Sequence, residues 1–121
     1  YRFADVLLIY AEASNKAEGS PNTLAYKCLN RVRDRAFGDQ SHQYAGLTPE
    51  KFADAVFDEF GWENVFEFKR WFQLVRTEKV DEAVGKNTAI GARLNANKEN
   101  YLFPIPVRQC ELRGWKNNPG Y

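Results

Sequence analysis

Three glutamates spaced by four, Glu59, Glu63 and Glu67, come nearest in this chain to a reactive arrangement. Glycoside hydrolysis uses two carboxyl groups about 5 to 9 Å apart, and helix neighbours at i, i+4 fall within that range. The competing reading is electrostatic. Arg70 follows Glu67 at i+3, and on an unbroken helix all four residues lie within roughly a quarter-turn of arc. Phe52 and Val56 share that sector, so the carboxylates belong at the edge of the core, where a charge needs a partner such as Arg70 or Arg76. A structural ion-pair network of Glu59, Glu63, Glu67, Arg70 and Arg76 is the stronger reading, because no cleft-forming loop or second catalytic group accompanies the carboxylates. A di-metal carboxylate site would need Glu-x-x-His pairs, and the one histidine, His42, is remote in sequence. Cys28 and Cys110 match no zinc-ligand spacing. With no glycine-rich phosphate loop and no Ser/His/Asp arrangement to place, the sequence assigns no catalytic residue, metal ligand or cofactor.

Binding chemistry rests on aromatics outside the helical stripes, since a flat apolar face with polar neighbours suits the C–H face of a sugar ring. Trp115 stands beside Lys116, Asn117 and Asn118, whose polar groups can meet hydroxyls. Its competing role is to clamp the C-terminal tail onto the helices. Tyr44 and His42, in the loop before Thr48, are the second candidates, with ordinary loop exposure as the alternative. Trp62, Trp71 and Phe72 sit in helical periodicity and are expected in the core.

The elements that must position these groups are helical. Phe3, Val6, Leu7, Tyr10 and Ala13 follow the i, i+3, i+4, i+7 template, and Gly19 stops the helix. Ser20 and Pro21 read as N-cap and first position of a second helix with a buried face of Leu24, Ala25, Cys28, Leu29, Val32 and Ala36. The two helices make an antiparallel hairpin. Arg31, Arg33 and Arg35 point different ways around the second helix and read as a solvated or ion-paired surface. Residues 37 to 47 form a loop by composition. Thr48, Pro49 and Glu50 open a third helix carrying Phe52, Val56 and Phe60. Gly61 is a candidate bend, beyond which Phe68, Trp71, Phe72 and Val75 continue a core stripe, so that the third and fourth helices make one bent rod. Gly85, Asn87, Gly91, Asn95, Asn97 and Asn100 mark a polar connector, expected to be a long irregular crossing. Pro104 and Pro106 force Tyr101 to Pro106 to be extended, an apolar strap that must lie against helices. Val107 to Leu112 allows a short helical turn.

With 121 residues, 44% of them hydrophobic, the chain is expected to form one domain, and its net charge of +1 gives no bulk attraction to nucleic acid or an anionic membrane. The chain opens in mid-pattern with no capping residue and no initiator Met, as expected of a part of a longer protein. No stretch of about 18 apolar residues is present to span a bilayer.

Several of these segments together resemble the C-terminal part of the SusD/RagB family. Phe3 to Ala13 resembles the family's RYADVLLMYAEA helix, and Leu29 to Ala36 its LNxVRxRA helix. Glu59, Glu63, Glu67, Arg70, Trp71, Phe72, Leu74 and Arg76 fall on its charged and aromatic signature. Leu102 to Pro106 and Asn118 to Tyr121 resemble its LxPIP and terminal QNPGY segments. The departures are Phe60 where the family often has arginine, Phe68 where glycine is usual, Gln73 for aspartate and Asn117 for glutamine.

The resemblance implies an all-α fold of antiparallel, tetratricopeptide-like helical hairpins with a long irregular C-terminal strap. It further implies an outer-membrane, surface-exposed lipoprotein held by an N-terminal lipid anchor that lies outside this chain. Such a protein binds oligo- or polysaccharide without catalysis and hands it to a SusC-like TonB-dependent transporter, with no role for nucleic acid or a cofactor. Two other functions compete with this one: a helical-repeat scaffold for protein partners, which accounts for the hairpins but not for YLFPIP and NNPGY, and a carboxylate-pair glycoside hydrolase.

Overall fold

The computed structural model describes residues 1–85 and 98–121. Among the described residues the fold is all helical, with α1 (Phe3–Glu18), α2 (Thr23–Phe37), α3 (Pro49–Glu63), α4 (Arg70–Arg76), α5 (Val80–Gly85) and α6 (Val107–Arg113), and a 3-10 turn at Lys98–Tyr101. They form two compact units, Tyr1–Arg70 and Trp71–Tyr121. Of the polar connector expected from Gly85 to Asn100, residues 86–97 lie outside the described residues, while Gly85 ends α5 and Asn100 lies in the 3-10 turn.

In the first unit α1 packs on both α2 and α3. Leu8 and Ala11 meet Ala25, Cys28, Leu29 and Val32 of α2 and Phe52, Ala55 and Val56 of α3 in one continuous core. The buried face of α1 is not the expected one: Phe3, Val6 and Tyr10 are exposed, while Asp5, Leu8, Ala11, Ser14 and Asn15 face inward. Residues 3 to 11 are apolar almost all round except at Asp5, so periodicity alone could not choose the face. Hydrogen bonds from polar groups on the inner face complete the choice, although the buried Asn15 Oδ1 has no partner among the described residues. The Asp5 carboxylate accepts from the Arg2 amide at 2.7 Å and from Lys69 at 2.9 Å. Burial pushes the Asp5 pKa up, but these donors overcome it and hold it below the ordinary carboxylate value. The side-chain amide of Asn15 donates to the Pro49 carbonyl at 2.9 Å, tying α1 to the start of α3.

Helix ends follow local chemistry. Gly19 ends α1 in the left-handed region at φ 70°, as expected of a C-terminal stop. The N-cap of α2 is Asn22, not Ser20: its side chain accepts from the Ala25 amide at 2.8 Å and donates to Ser14 and Glu18 of α1, so the same amide also closes the hairpin turn. Thr48 caps α3 and Pro49 opens it, as expected.

The third and fourth helices are not one bent rod. The helix stops at Glu63, three residues after the turn that holds Phe60, because the Asn64 side chain donates to the Phe60 carbonyl at 3.1 Å and its oxygen receives Arg2 and Lys69. Gly61 has a different use. A Cβ there would lie 2.9 Å from the Arg70 guanidinium, which crosses this point to reach the Phe57 carbonyl at 2.8 Å. The chain turns through residues 64 to 68 with Phe66 at φ 64° and Phe68 at φ 57°. Phe68 is 91% exposed, Phe72 66% and Trp62 58%, so the expected core stripe through this region does not form within this chain. The glycine that is usual at the position of Phe68 in the family it resembles matches this left-handed backbone.

The second unit keeps Val80 buried and holds the strap by hydrogen bonds. Asn117 accepts from the Ile105 amide at 2.7 Å and donates to the Ile105 carbonyl at 3.2 Å, while Asn118 donates to the Phe103 carbonyl at 2.6 Å. Residues 102 to 106 carry no helix, as the prolines require, but Tyr101 does not join the extended segment expected from Tyr101 to Pro106: it closes the 3-10 turn Lys98–Tyr101. The Phe103 ring lies 6.0 Å from Trp71 yet is 65% exposed, so paired asparagine bonds hold the strap where burial of that ring was expected to.

Phe68→Gly relieves a left-handed β-carbon without losing buried surface. It is expected to raise unfolding stability in urea by about 1 kcal/mol. A loss of stability would show that the Phe68 ring contributes more than its backbone costs.

Candidate functional site

Beside α2 the loop from Gly38 to Leu47 encloses a groove of about 480 Å3, lined on one wall by Tyr26, Lys27, Asn30 and Arg31 and on the other by Gln40, Gln43 and Tyr44. The loop leaves α2 at Gly38, whose φ of 80° places its amide on the Asp34 carbonyl at 2.8 Å. Asn30 then fixes the far wall. Its amide donates to the Tyr44 carbonyl at 2.9 Å and its oxygen accepts from the Tyr44 amide at 2.9 Å, a two-point splint that mimics a strand pair. The Tyr26 hydroxyl accepts from the Leu47 amide at 2.7 Å and donates to the Leu47 carbonyl at 3.2 Å, while its ring meets Phe52 edge-on at 4.9 Å. The loop is therefore held at its start by the helix C-cap and pinned at its far end by Asn30 and Tyr26.

Arg33 underlies this wall. It is 6% exposed, and its guanidinium donates to Glu59 at 2.7 Å and to the His42 carbonyl at 2.7 Å. The Tyr44 ring lies over it at 4.2 Å, and Phe37 and Trp62 lie at 5.2 and 5.9 Å. Glu59 is 3% exposed; burial pushes its pKa up, Arg33 pulls it back, and it stays raised. Arg33 is thus not the surface residue its basic run suggested. Four residues after Leu29 and one after Val32, it lies on the buried face of α2, and that spacing was the available signal.

The other carboxylates of the i, i+4 series are also committed. Glu63 takes Arg2 at 2.6 Å on one oxygen and Arg35 on the other. Glu67 lies in the turn after α3 and takes Arg2 at 2.8 Å and Lys69 at 2.9 Å. These cations come from the N-cap of α1, from α2 and from the turn itself, none of which helical spacing along α3 could point to. Arg70 sits 4.0 Å above the Phe57 ring.

Of the expected sugar-contacting residues, His42 and Tyr44 share the loop but are used differently. The His42 ring stacks on Phe37 at 4.0 Å, whereas Tyr44 lines the groove. Trp115 and Asn117 belong to the second unit. Trp115 is 55% exposed with Arg113 at 5.8 Å from its ring, and Asn117 spends its amide on Ile105. Cys28 and Cys110 are both free thiols.

These features define a helical-hairpin scaffold that presents a rigid polar groove. The chain belongs to the SusD family, whose family model matches residues 1–121. It is 35% identical over 131 aligned residues to SusD-like protein P2 of Formosa agariphila, covering 99% of this chain and 25% of that protein. SusD-like protein P25 of the same organism is 39% identical over 114 residues, covering 93% of this chain and 21% of that protein. A SusD homologue from Bacteroides thetaiotaomicron superposes with a TM-score of 0.81 at 31% identity, over 99% of this chain and 26% of that one. A SusD superfamily protein from Parabacteroides distasonis gives 0.81 at 30% identity, over 100% of this chain and 26% of that one. This chain therefore spans about a quarter of the length of its curated relatives.

Removing one partner of the buried pair leaves a charge with nowhere to go. Glu59→Ala is expected to cost about 3 to 5 kcal/mol in urea unfolding. The double variant Arg33→Met with Glu59→Leu should cost clearly less than the sum of the single changes. Additive losses would contradict the coupling.

Proposed function

We propose that this chain is the C-terminal helical part of a non-catalytic glycan-binding component of an outer-membrane oligo- or polysaccharide uptake system. In this role it is surface-exposed, tethered by a lipid anchor on the preceding polypeptide, and passes ligand to a SusC-like TonB-dependent transporter. The observation that carries the reading is the match to the SusD family along the whole chain. Among the described residues no helix is long and apolar enough to cross a membrane.

The carboxylates support binding over hydrolysis. A glycosidase needs one carboxyl group able to give up a proton and another able to attack, both reachable by the sugar. Glu59 is sealed under Arg33, and both oxygens of Glu63 are held by arginines. A sugar contact requires only an exposed aromatic face and nearby polar groups, which Tyr44 with His42 and Trp115 with Asn117 supply as candidates. For Trp115, an exposure of 55% favours ligand contact over a buried clamp, and Asn117 serves by fixing the local backbone. Such open sites bind weakly, around millimolar to micromolar, or about −4 to −8 kcal/mol.

A glycan array followed by calorimetric titration of the full-length protein tests this. Binding of an oligosaccharide that is recovered intact is expected. Trp115→Ala should weaken it with little change in melting temperature, whereas Tyr44→Ala should weaken it and also lower the melting temperature, because that ring covers the buried Arg33 and packs against the core. Release of shorter sugars on incubation would overturn the non-catalytic reading. Full affinity in both variants would remove both residues from the site.

A further inference from the structure

The groove beside α2 carries an electrostatic feature that glycan binding in general does not require. Lys27 and Arg31 lie one helical turn apart on its wall, both exposed, and neither has a carboxylate partner among the described residues; Arg31 has only the Phe3 ring, itself exposed, at 5.1 Å from its guanidinium. The cations around them are spent: Arg33 on Glu59, Arg35 and Arg2 on Glu63, Lys69 on Asp5 and Glu67. The single acid in the groove, Asp34, has both oxygens occupied by the Gln43 amide at 3.0 and 2.9 Å. Two cations against one carboxylate leave the groove net positive in a chain whose charges otherwise almost cancel. The rest of the lining is uncharged, mostly amide and phenol with the Thr23 hydroxyl and the small Ala45 and Gly46, and Tyr44 is held rigid by Asn30 and Arg33.

We propose that this groove is a binding site for an acidic saccharide, in which Lys27 and Arg31 receive the anionic group of one sugar residue while Tyr44 and the Gln40 amide meet its neighbours. The proposal rests on the glycan-binding reading above and narrows it to a substrate class. Carboxylate and sulfate share the required chemistry: an exposed, negatively charged oxygen cluster that accepts from both an ammonium and a planar guanidinium. A neutral sugar leaves both cations without a new partner and gains nothing from them. The volume of about 480 Å3 lies within the range of small-ligand sites, enough for a short segment of chain rather than a single ion.

Calorimetric titration of the full-length protein with three tetrasaccharides separates the outcomes: tetragalacturonate, a sulfated galactan tetrasaccharide and neutral galactotetraose. At least one anionic probe should bind more tightly than the neutral one. That advantage should shrink when NaCl is raised from about 50 mM to about 500 mM. Lys27→Gln with Arg31→Gln should lower affinity for the anionic probe by about tenfold or more while leaving any neutral binding unchanged. Both side chains are exposed, so the variant should keep its melting temperature. The probe that suffers the loss identifies carboxylate or sulfate as the group received. Equal affinity for charged and neutral probes, or unchanged affinity in the double variant, overturns the groove proposal and leaves glycan binding elsewhere on the protein intact. Failure to bind any glycan on an array overturns the underlying reading and the proposal with it.

Discussion

The ion pair between Arg33 and Glu59 is the constraint on which the arrangement of the first unit depends. An arginine and a glutamate facing one another in a core are costly to bury, and their attraction compensates only when the remaining donors and acceptors are also satisfied. Here the guanidinium gains a second acceptor, the His42 carbonyl, and a stacked ring, and those further contacts are what shape the surface. One edge of the guanidinium fixes α2 to α3, another holds the His42 carbonyl, and its face supports Tyr44. A lysine could neutralise Glu59 but could not do all three, since it has neither the planar face nor the fork of donors. The pair therefore contributes less as net stability than as a fixed register between two helices and the loop above them.

A second group of charges performs the same service where α3 ends. Arg2, Glu63, Glu67, Lys69 and Asp5 link the start of α1 to the turn after α3, with the buried Asn64 between them. Most of these side chains are partly open to solvent, where pairs are screened, so their role is to choose one path for the turn rather than to supply much energy. The path chosen is strained. Phe66 and Phe68 take a left-handed backbone that aromatic residues adopt only at a cost, and both rings are exposed.

How much of this was legible in the sequence depended on whether the controlling interaction was local. Gly19, Thr48 and Pro49 mark helix ends through contacts within one turn, and all three did so as expected. Ala25, Cys28, Leu29 and Val32 showed their face because the opposite side of α2 is polar, whereas Leu24 and Ala36, at the two ends of the expected stripe, are exposed. On α1 the apolar residues run nearly all round, so the inward face was set by partners on other elements. The loop was recognisable from its composition, yet the groove was not, because Asn30 and Tyr44 are fourteen positions apart and their mutual hydrogen bonds have no sequence signature. Arg33 was hidden by its neighbours Arg31 and Arg35, which made a buried anchor look like one of three surface charges. Similarly, the spacing of Glu59, Glu63 and Glu67 revealed a charged stripe, but apart from Lys69 in the turn its cations are remote, Arg33 26 residues from Glu59 and Arg2 61 from Glu63.

The link between the buried pair and the groove is most directly examined by amide hydrogen exchange. In Arg33→Lys, charge is kept while the fork and the flat face are lost. Exchange at the Tyr44 amide and its loop neighbours should quicken by about tenfold or more, with protection at Leu29 and Phe52 in the core maintained. Unchanged protection of the Tyr44 amide would contradict the claim that Arg33 holds the groove in shape.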